Sequence, residues 1–115
     1  MTPDEMTEII MSFPGAEAGM SYGSPAYKVN GKFFTRLRRE DQSVVLVGIS
    51  PDERDMLMEA EPKTFHITAH YKDYPAVLAR IETLHPGSFR NFLDRKWRTL
   101  APKKVVKDWD ATKGD

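Results

Sequence analysis

Asn30-Gly31 constrains this chain more than any other pair of residues. It separates two strand-like runs, SPAYKV and KFFTRLRRE. Both residues tolerate the positive φ of a type I′ turn, so the runs are expected to close as an antiparallel hairpin. Strict alternation along the second run puts Phe33, Thr35 and Leu37 on one side, with Phe33 and Leu37 inward. Phe34, Arg36 and Arg38 then fall on the other side.

The remaining elements follow from similar local grammar. Thr2 can cap a first helix, Pro3 suits its first position, and Glu5 completes a capping box. Met6, Ile9, Ile10 and Phe13 recur at helical spacing, and Pro14-Gly15 ends the run. Residues 15–23 (GAEAGMSYG) hold three glycines and read as a loop. SVVLVGI is apolar on both faces, as a central strand requires. Ser50-Pro51-Asp52-Glu53 repeats the helix-start pattern for a second helix running through Met56, Leu57 and Ala60. KTFHITAH alternates, with Phe65, Ile67 and Ala69 inward and Thr64, His66, Thr68 and His70 outward. A loop around Tyr71 to Pro75 leads to AVLARIETL, read as a fifth strand. His85-Pro86 opens a last helix whose apolar stripe is Phe89, Phe92, Leu93, Trp97 and Leu100. The order is αβββαββα. It implies a two-layer α+β domain over residues 1–104, with three helices against a largely antiparallel five-stranded sheet. Residues 105–115 read as a loose polar tail.

Composition narrows the function classes. Seventeen basic and 17 acidic side chains cancel, so bulk charge attracts neither nucleic acid nor membrane. No apolar run reaches the ~18–20 residues that span a bilayer. MTPDEMTEII lacks the basic start and apolar stretch of a secretory signal. With no cysteine, a disulfide framework, a thiolate nucleophile and a Cys-ligated zinc are all excluded. A cytoplasmic monomer is the expectation.

Motifs for catalysis are weak. GMSYG fits the G-x-S-x-G pattern around Ser21, but that motif works between a strand and a helix, whereas here a loop precedes it and a strand follows. His66 and His70, read on one strand, lie ~13 Å apart and cannot share an ion. Asp73 adds only one further candidate, so no metal is expected. Glu53, Asp55 and Glu59 are explained by capping and a solvated helix face. No phosphate-cradling glycine motif occurs, and neither a cofactor nor an enzyme activity is expected.

The basic residues are more informative, because the zero net charge hides an asymmetry. Residues 1–60 carry six basic and ten acidic side chains, whereas residues 61–115 carry eleven and seven. The hairpin holds Lys32, Arg36, Arg38 and Arg39, read on the face opposite Phe33 and Leu37. The last helix and tail hold Arg90, Arg95, Lys96, Arg98, Lys103, Lys104 and Lys107. Basic hairpins with nearby aromatics can grip phosphates; arginines on an outer sheet face also serve solubility and protect against edge pairing.

FPGAEAGMSYGSPAYKVNGKFFTRL, SPDERDMLMEAEP, HYKDYPAVLARI and WRTLAPKK resemble, in order, the signature of the MmcQ/YjbR-like family. The resemblance spans about residues 10–104. It implies a compact α/β fold similar to CyaY-like and secretion-chaperone-like domains, and a protein often labelled DNA-binding. Its pattern falls on Phe13, Tyr22, Lys28, Lys32, Phe33, Arg54, His70, Tyr71 and Trp97, among others. Many relatives carry tryptophan after Tyr-Pro, where this chain has Ala76. The expected function is DNA binding through the basic hairpin and last helix, using Lys28, Lys32, Arg36, Arg38, Arg39, Arg80, Lys103 and Lys104. A surface pocket is expected at Tyr22, His70, Tyr71 and Tyr74. The alternatives are a protein-interaction or chaperone-like module, and a small-molecule site around Tyr22, Lys28, His70, Tyr71 and Arg80.

Overall fold

The computed structural model describes residues 1–21 and 23–113. Helix α1 (Pro3–Met11) opens with the expected capping box. Thr2 Oγ1 accepts from the Glu5 amide at 3.1 Å, and the Glu5 carboxylate accepts from the Thr2 amide at 3.2 Å. Its stripe of Met6, Ile9 and Ile10 is buried, and Phe13 follows it into the core.

Strands β1 (Ala16–Ser21), β2 (Ser24–Val29), β3 (Lys32–Arg38), β4 (Ser43–Val47), β5 (Phe65–His66) and β6 (Ala76–Arg80) form one sheet. Its order is β1-β2-β3-β4-β6-β5, and every neighbouring pair is antiparallel. The β2–β3 hairpin turns at Asn30 (φ 54°) and Gly31 (φ 76°), the left-handed pair that a type I′ turn needs. Helix α2 (Pro51–Ala60) crosses from β4 to β5 and is capped by Ser50 Oγ, which accepts from the Glu53 amide. Helix α3 (Pro86–Leu100) opens at His85, whose ring accepts from the Gly87 amide. The central place of β4, with Val44, Val45 and Leu46 all buried, matches its two-sided apolar sequence.

Four expectations are corrected. First, residues 16–21 are not a glycine loop but a sixth strand at the sheet edge, paired along its length with β2. Glycine lowers strand propensity, yet the ladder to β2 overrides it. Second, the run from Thr64 to His70 is strand only at Phe65–His66; Ala69–Tyr71 turn as a 3₁₀ helix, and Thr64 is buried, not outward. Third, Phe33 is 38% exposed while Phe34 is 1% exposed, the reverse of the expected sides. A bulge is the cause: Tyr27 pairs with Thr35 but Lys28 pairs with Phe33, so Phe34 is the extra residue and alternation slips there. Fourth, the segment read as a tail forms helix α4 (Lys103–Lys113). Val105, Val106 and Trp109 pack it against the core, with the Trp109 ring 6.1 Å from Phe13 and 5.7 Å from Trp97. Two valines and one tryptophan on one helical face suffice for docking.

The core lies between the sheet and the helices. It joins Met6, Ile10 and Phe13 to Val29, Phe34, Val44, Leu46, Val77, Phe89, Leu93 and Trp97. The opposite sheet face carries a small buried apolar patch, Val45, Ala76 and Leu78, with Val47 and Tyr71 against it. Among the described residues no helix is long and apolar enough to cross a membrane.

Candidate functional site

The face of the sheet that the helices leave open is where the expected residues converge. On β3, buried Leu37 lies between half-buried Arg36 and Arg38, so alternation sends both arginines away from the helices. On β6, Val77 and Ala79 enter the core, and the same rule turns Arg80 outward. Register then lines up a row across the sheet: Arg38 opposite Ser43, and Ser43 opposite Arg80.

The loop from β5 to β6 lays aromatic rings against this row. Tyr71 packs on the Val45, Ala76 and Leu78 patch. Arg36 Nη1 donates to Tyr71 Oη at 3.3 Å, and the Arg38 guanidinium carbon lies 5.7 Å from the Tyr71 ring centroid. His70 meets Tyr71 edge-on at 4.8 Å, and Tyr74 lies 5.6 Å from His70 and 6.1 Å from Tyr71. Arg36, Arg38, Glu40, His70 and Tyr71 line a cleft of about 350 Å³. Arg54 on α2 secures the loop from behind, donating through Nη1 to the carbonyls of Lys72 (3.1 Å) and Tyr74 (3.2 Å).

Acids temper the positive charge. Arg38 pairs with Glu40 at 3.2 Å and Asp41 at 3.4 Å. A backbone hydrogen bond and then the bond from Arg38 hold the Glu40 carboxyl below its ordinary range. His66 Nε2 lies 2.9 Å from Ser43 Oγ and 3.6 Å from Asp41. Burial, then the Arg80 charge, pushes the His66 pKa down against the opposing pull of Asp41. These three residues do not form a nucleophilic triad. Asp41 approaches the same ring nitrogen as Ser43, whereas a triad needs the acid on the other nitrogen, and Ser43 is wholly buried. Ser21 ends β1 and leads through Gly23 into β2, so the strand-to-helix elbow of G-x-S-x-G is absent there.

Not every expected residue joins the cleft: Tyr74 packs beside His70 and Tyr71 but does not line it. Arg80 shares its sheet face and donates to the Lys63 carbonyl at 3.2 Å. Lys28 is on that face too, but beside a second cleft of about 370 Å³ whose walls include Glu17, Met20 and Phe33. Lys32 sits opposite Val29 at the hairpin turn, and Arg39 lies past the other end of β3. Lys103 and Lys104 begin α4, which packs on the core side. On α3, two of the basic side chains are bound to carboxylates. Arg95 is held by Glu53 at 2.8 and 2.9 Å, and Arg98 by Asp94 (2.8 Å) and Asp110 (2.6 Å). Tyr22 lies outside the described residues. Reasoning from sequence missed the roles of Glu40, Asp41 and Arg54. Arg54 alone left a signal there, inside the SPDERDM motif. Among the described residues no group of three His, Asp or Glu side chains could hold a metal.

Comparison with known proteins agrees with the motifs. The YjbR family model matches residues 11–99. An uncharacterised protein of Mycobacterium bovis is 26% identical over 98 residues, covering 83% of this chain and 76% of its own length. Uncharacterised proteins from two strains of Mycobacterium tuberculosis match to the same extent. No solved structure matches. The match over residues 11–99 takes in every strand, the first three helices in whole or part, and all the residues lining the cleft, and the chain belongs to the YjbR family.

Proposed function

We propose that this protein is a non-enzymatic, cytoplasmic DNA-binding protein that meets nucleic acid on the open face of its sheet. The observation that carries this reading is the convergence of Arg36 and Arg38 on Tyr71 at an open cleft, with Arg80 in the same cross-strand row. Arginine suits phosphate because its planar fork matches the anion's oxygens. The reading gives no role to α3, where Arg95 and Arg98 are already engaged by carboxylates. The two-layer antiparallel arrangement supports the kinship to CyaY-like and secretion-chaperone-like domains that the motifs imply.

The test is fluorescence anisotropy of a labelled oligonucleotide across a salt series. Two or three phosphate contacts predict a log–log slope of about −2 to −3, from roughly −0.7 to −0.9 per phosphate. Replacing both Arg36 and Arg38 with alanine should weaken binding to all sequences alike, since phosphate contacts position without specifying. A flat salt response, or no binding at low salt, sinks the proposal.

A second reading, protein or peptide docking, has one specific observation in its favour. Strand β1 is a sheet edge with Met20 65% exposed, a geometry open to strand addition.

A further inference from the structure

We infer that the cleft lined by Arg36, Arg38, His70 and Tyr71, with the Tyr74 ring packed beside it, takes one unpaired nucleotide, so that the protein prefers single strands to duplex. This rests on the nucleic-acid reading above and names the form of nucleic acid that the face accepts.

Charge alone is too weak here to hold a polyanion. Arg36, Arg38 and Arg80 are set against Glu40 and Asp41, and Arg38 is already bonded to both acids. Glu40 lines the cleft itself and stays ionised, so it repels any phosphate that enters. A second source of affinity is needed, and the aromatic rings provide one. Tyr74 is 54% exposed although it is a large ring, and His70 beside it is exposed too. Their planes are inclined by only 34° with centroids 5.6 Å apart, and His70 shares the cleft lining with the two arginines. Base stacking on such rings tolerates any sequence, because every base has a π face. A duplex hides those faces between neighbouring pairs, whereas a single strand presents them.

Size and preorganisation agree. A volume of about 350 Å³ lies at the small end of ligand sites and suits one nucleotide. The rings need little ordering on binding. Tyr71 is seated on Val45, Ala76 and Leu78, and Arg54 ties down the loop through the Lys72 and Tyr74 carbonyls. In the proposed pose the phosphate meets Arg36 and Arg38 and the base lies across Tyr74 and His70.

The same chemistry is available from a strand or from a free nucleoside monophosphate, so the experiment has three arms. Anisotropy would be measured with a labelled 12-base single strand and with the same sequence as duplex; thymidine monophosphate would serve as competitor. The expected result is single-strand binding at least tenfold tighter than duplex. Tyr74→Ala should cost about fivefold or more on the single strand and leave duplex binding unchanged, while Tyr74→Phe retains the wild-type value. Because Tyr74 is exposed, both variants should melt like the parent, which a thermal scan checks. Equal or tighter duplex binding, indifferent to Tyr74→Ala, overturns this inference and leaves nucleic-acid binding standing. Binding of the free monophosphate alone, lost in Tyr74→Ala, supports the one-nucleotide site and overturns the strand reading. Binding of none of the three overturns both.

Discussion

The two faces of the sheet are built from the same strands and differ in nearly everything else. On the helical side, alternate residues from β2 to β6 join α1, α3 and α4 in a continuous apolar core centred on Phe34, Phe89 and Trp97. On the open side, three small apolar residues carry one tyrosine and a row of arginines. Cations occur on both sides, but their surroundings differ. Arg95 and Arg98 on α3 are bonded by carboxylates at 2.6–2.9 Å and help to hold α2, α3 and α4 together. Arg36 and Arg38 border a cleft with aromatic walls, where Arg38 is paired with Glu40 and Asp41. A count of basic residues cannot tell these uses apart; the aromatic cleft on one side and the bridged helices on the other do.

The comparison breaks most visibly at Trp97. It is wholly buried, packs at a tilt against Phe13 and Trp109, and donates to the Pro14 carbonyl at 2.9 Å. Trp97→Ala should destabilise the fold by about 3–5 kcal/mol and lower the melting temperature by roughly 10 °C or more. A drop of only a degree or two would mean that the helical face does not carry the stability. The double variant Arg36→Ala, Arg38→Ala should show the opposite pattern. Oligonucleotide affinity should fall about tenfold or more, while stability falls by roughly 1–3 kcal/mol, less than at Trp97, because both arginines are half-buried. If this variant unfolds while binding persists, the division between the faces is wrong.

Glu40→Gln sharpens the contrast. Removing the carboxylate from the cleft should strengthen nucleic-acid binding about two- to threefold; unchanged or weaker binding would show that Glu40 does not oppose the ligand. The smallest effect concerns His66. Its lowered pKa means that the unfolded chain takes up a proton near the ordinary value of 6.5 while the folded protein still resists it. Stability from this group is therefore full above pH 6.5 and declines on acidification until the pH passes below the folded pKa. His66→Gln should flatten that part of the melting-temperature profile, and an unchanged slope would exclude His66 as its source. The Glu53 contribution is separate. Its pKa is lowered by the bond from Arg95, so its stabilisation is present above 4.5 and is lost in more acid solution.

Local grammar carried much of the fold. The Thr2 capping box, the Asn30-Gly31 turn, the Ser50 and His85 caps and the two-sided apolar run at Val44–Leu46 each depend on neighbouring residues, and each is realised. What escaped depended on contacts remote in sequence. Strand β1 exists because β2 pairs with it, and α4 because Trp109 finds Phe13 and Trp97. At the site, Arg36, Arg38, His70, Tyr71 and Tyr74 could be named individually from type and position. Their meeting across more than thirty residues could not, nor could the acids beside Arg38.

By itself, then, the sequence determined the Asn30-Gly31 turn, the starts of α1, α2 and α3, the central strand and the kinship to the YjbR family, because short-range sterics and hydrogen bonds set these. Only the tertiary structure decided which cations lie beside an open cleft and which bridge the helices. A bulge at Phe34 set which aromatic faces solvent, and strand register aligned Arg38, Ser43 and Arg80. Both are properties of paired strands, and no single segment contains them.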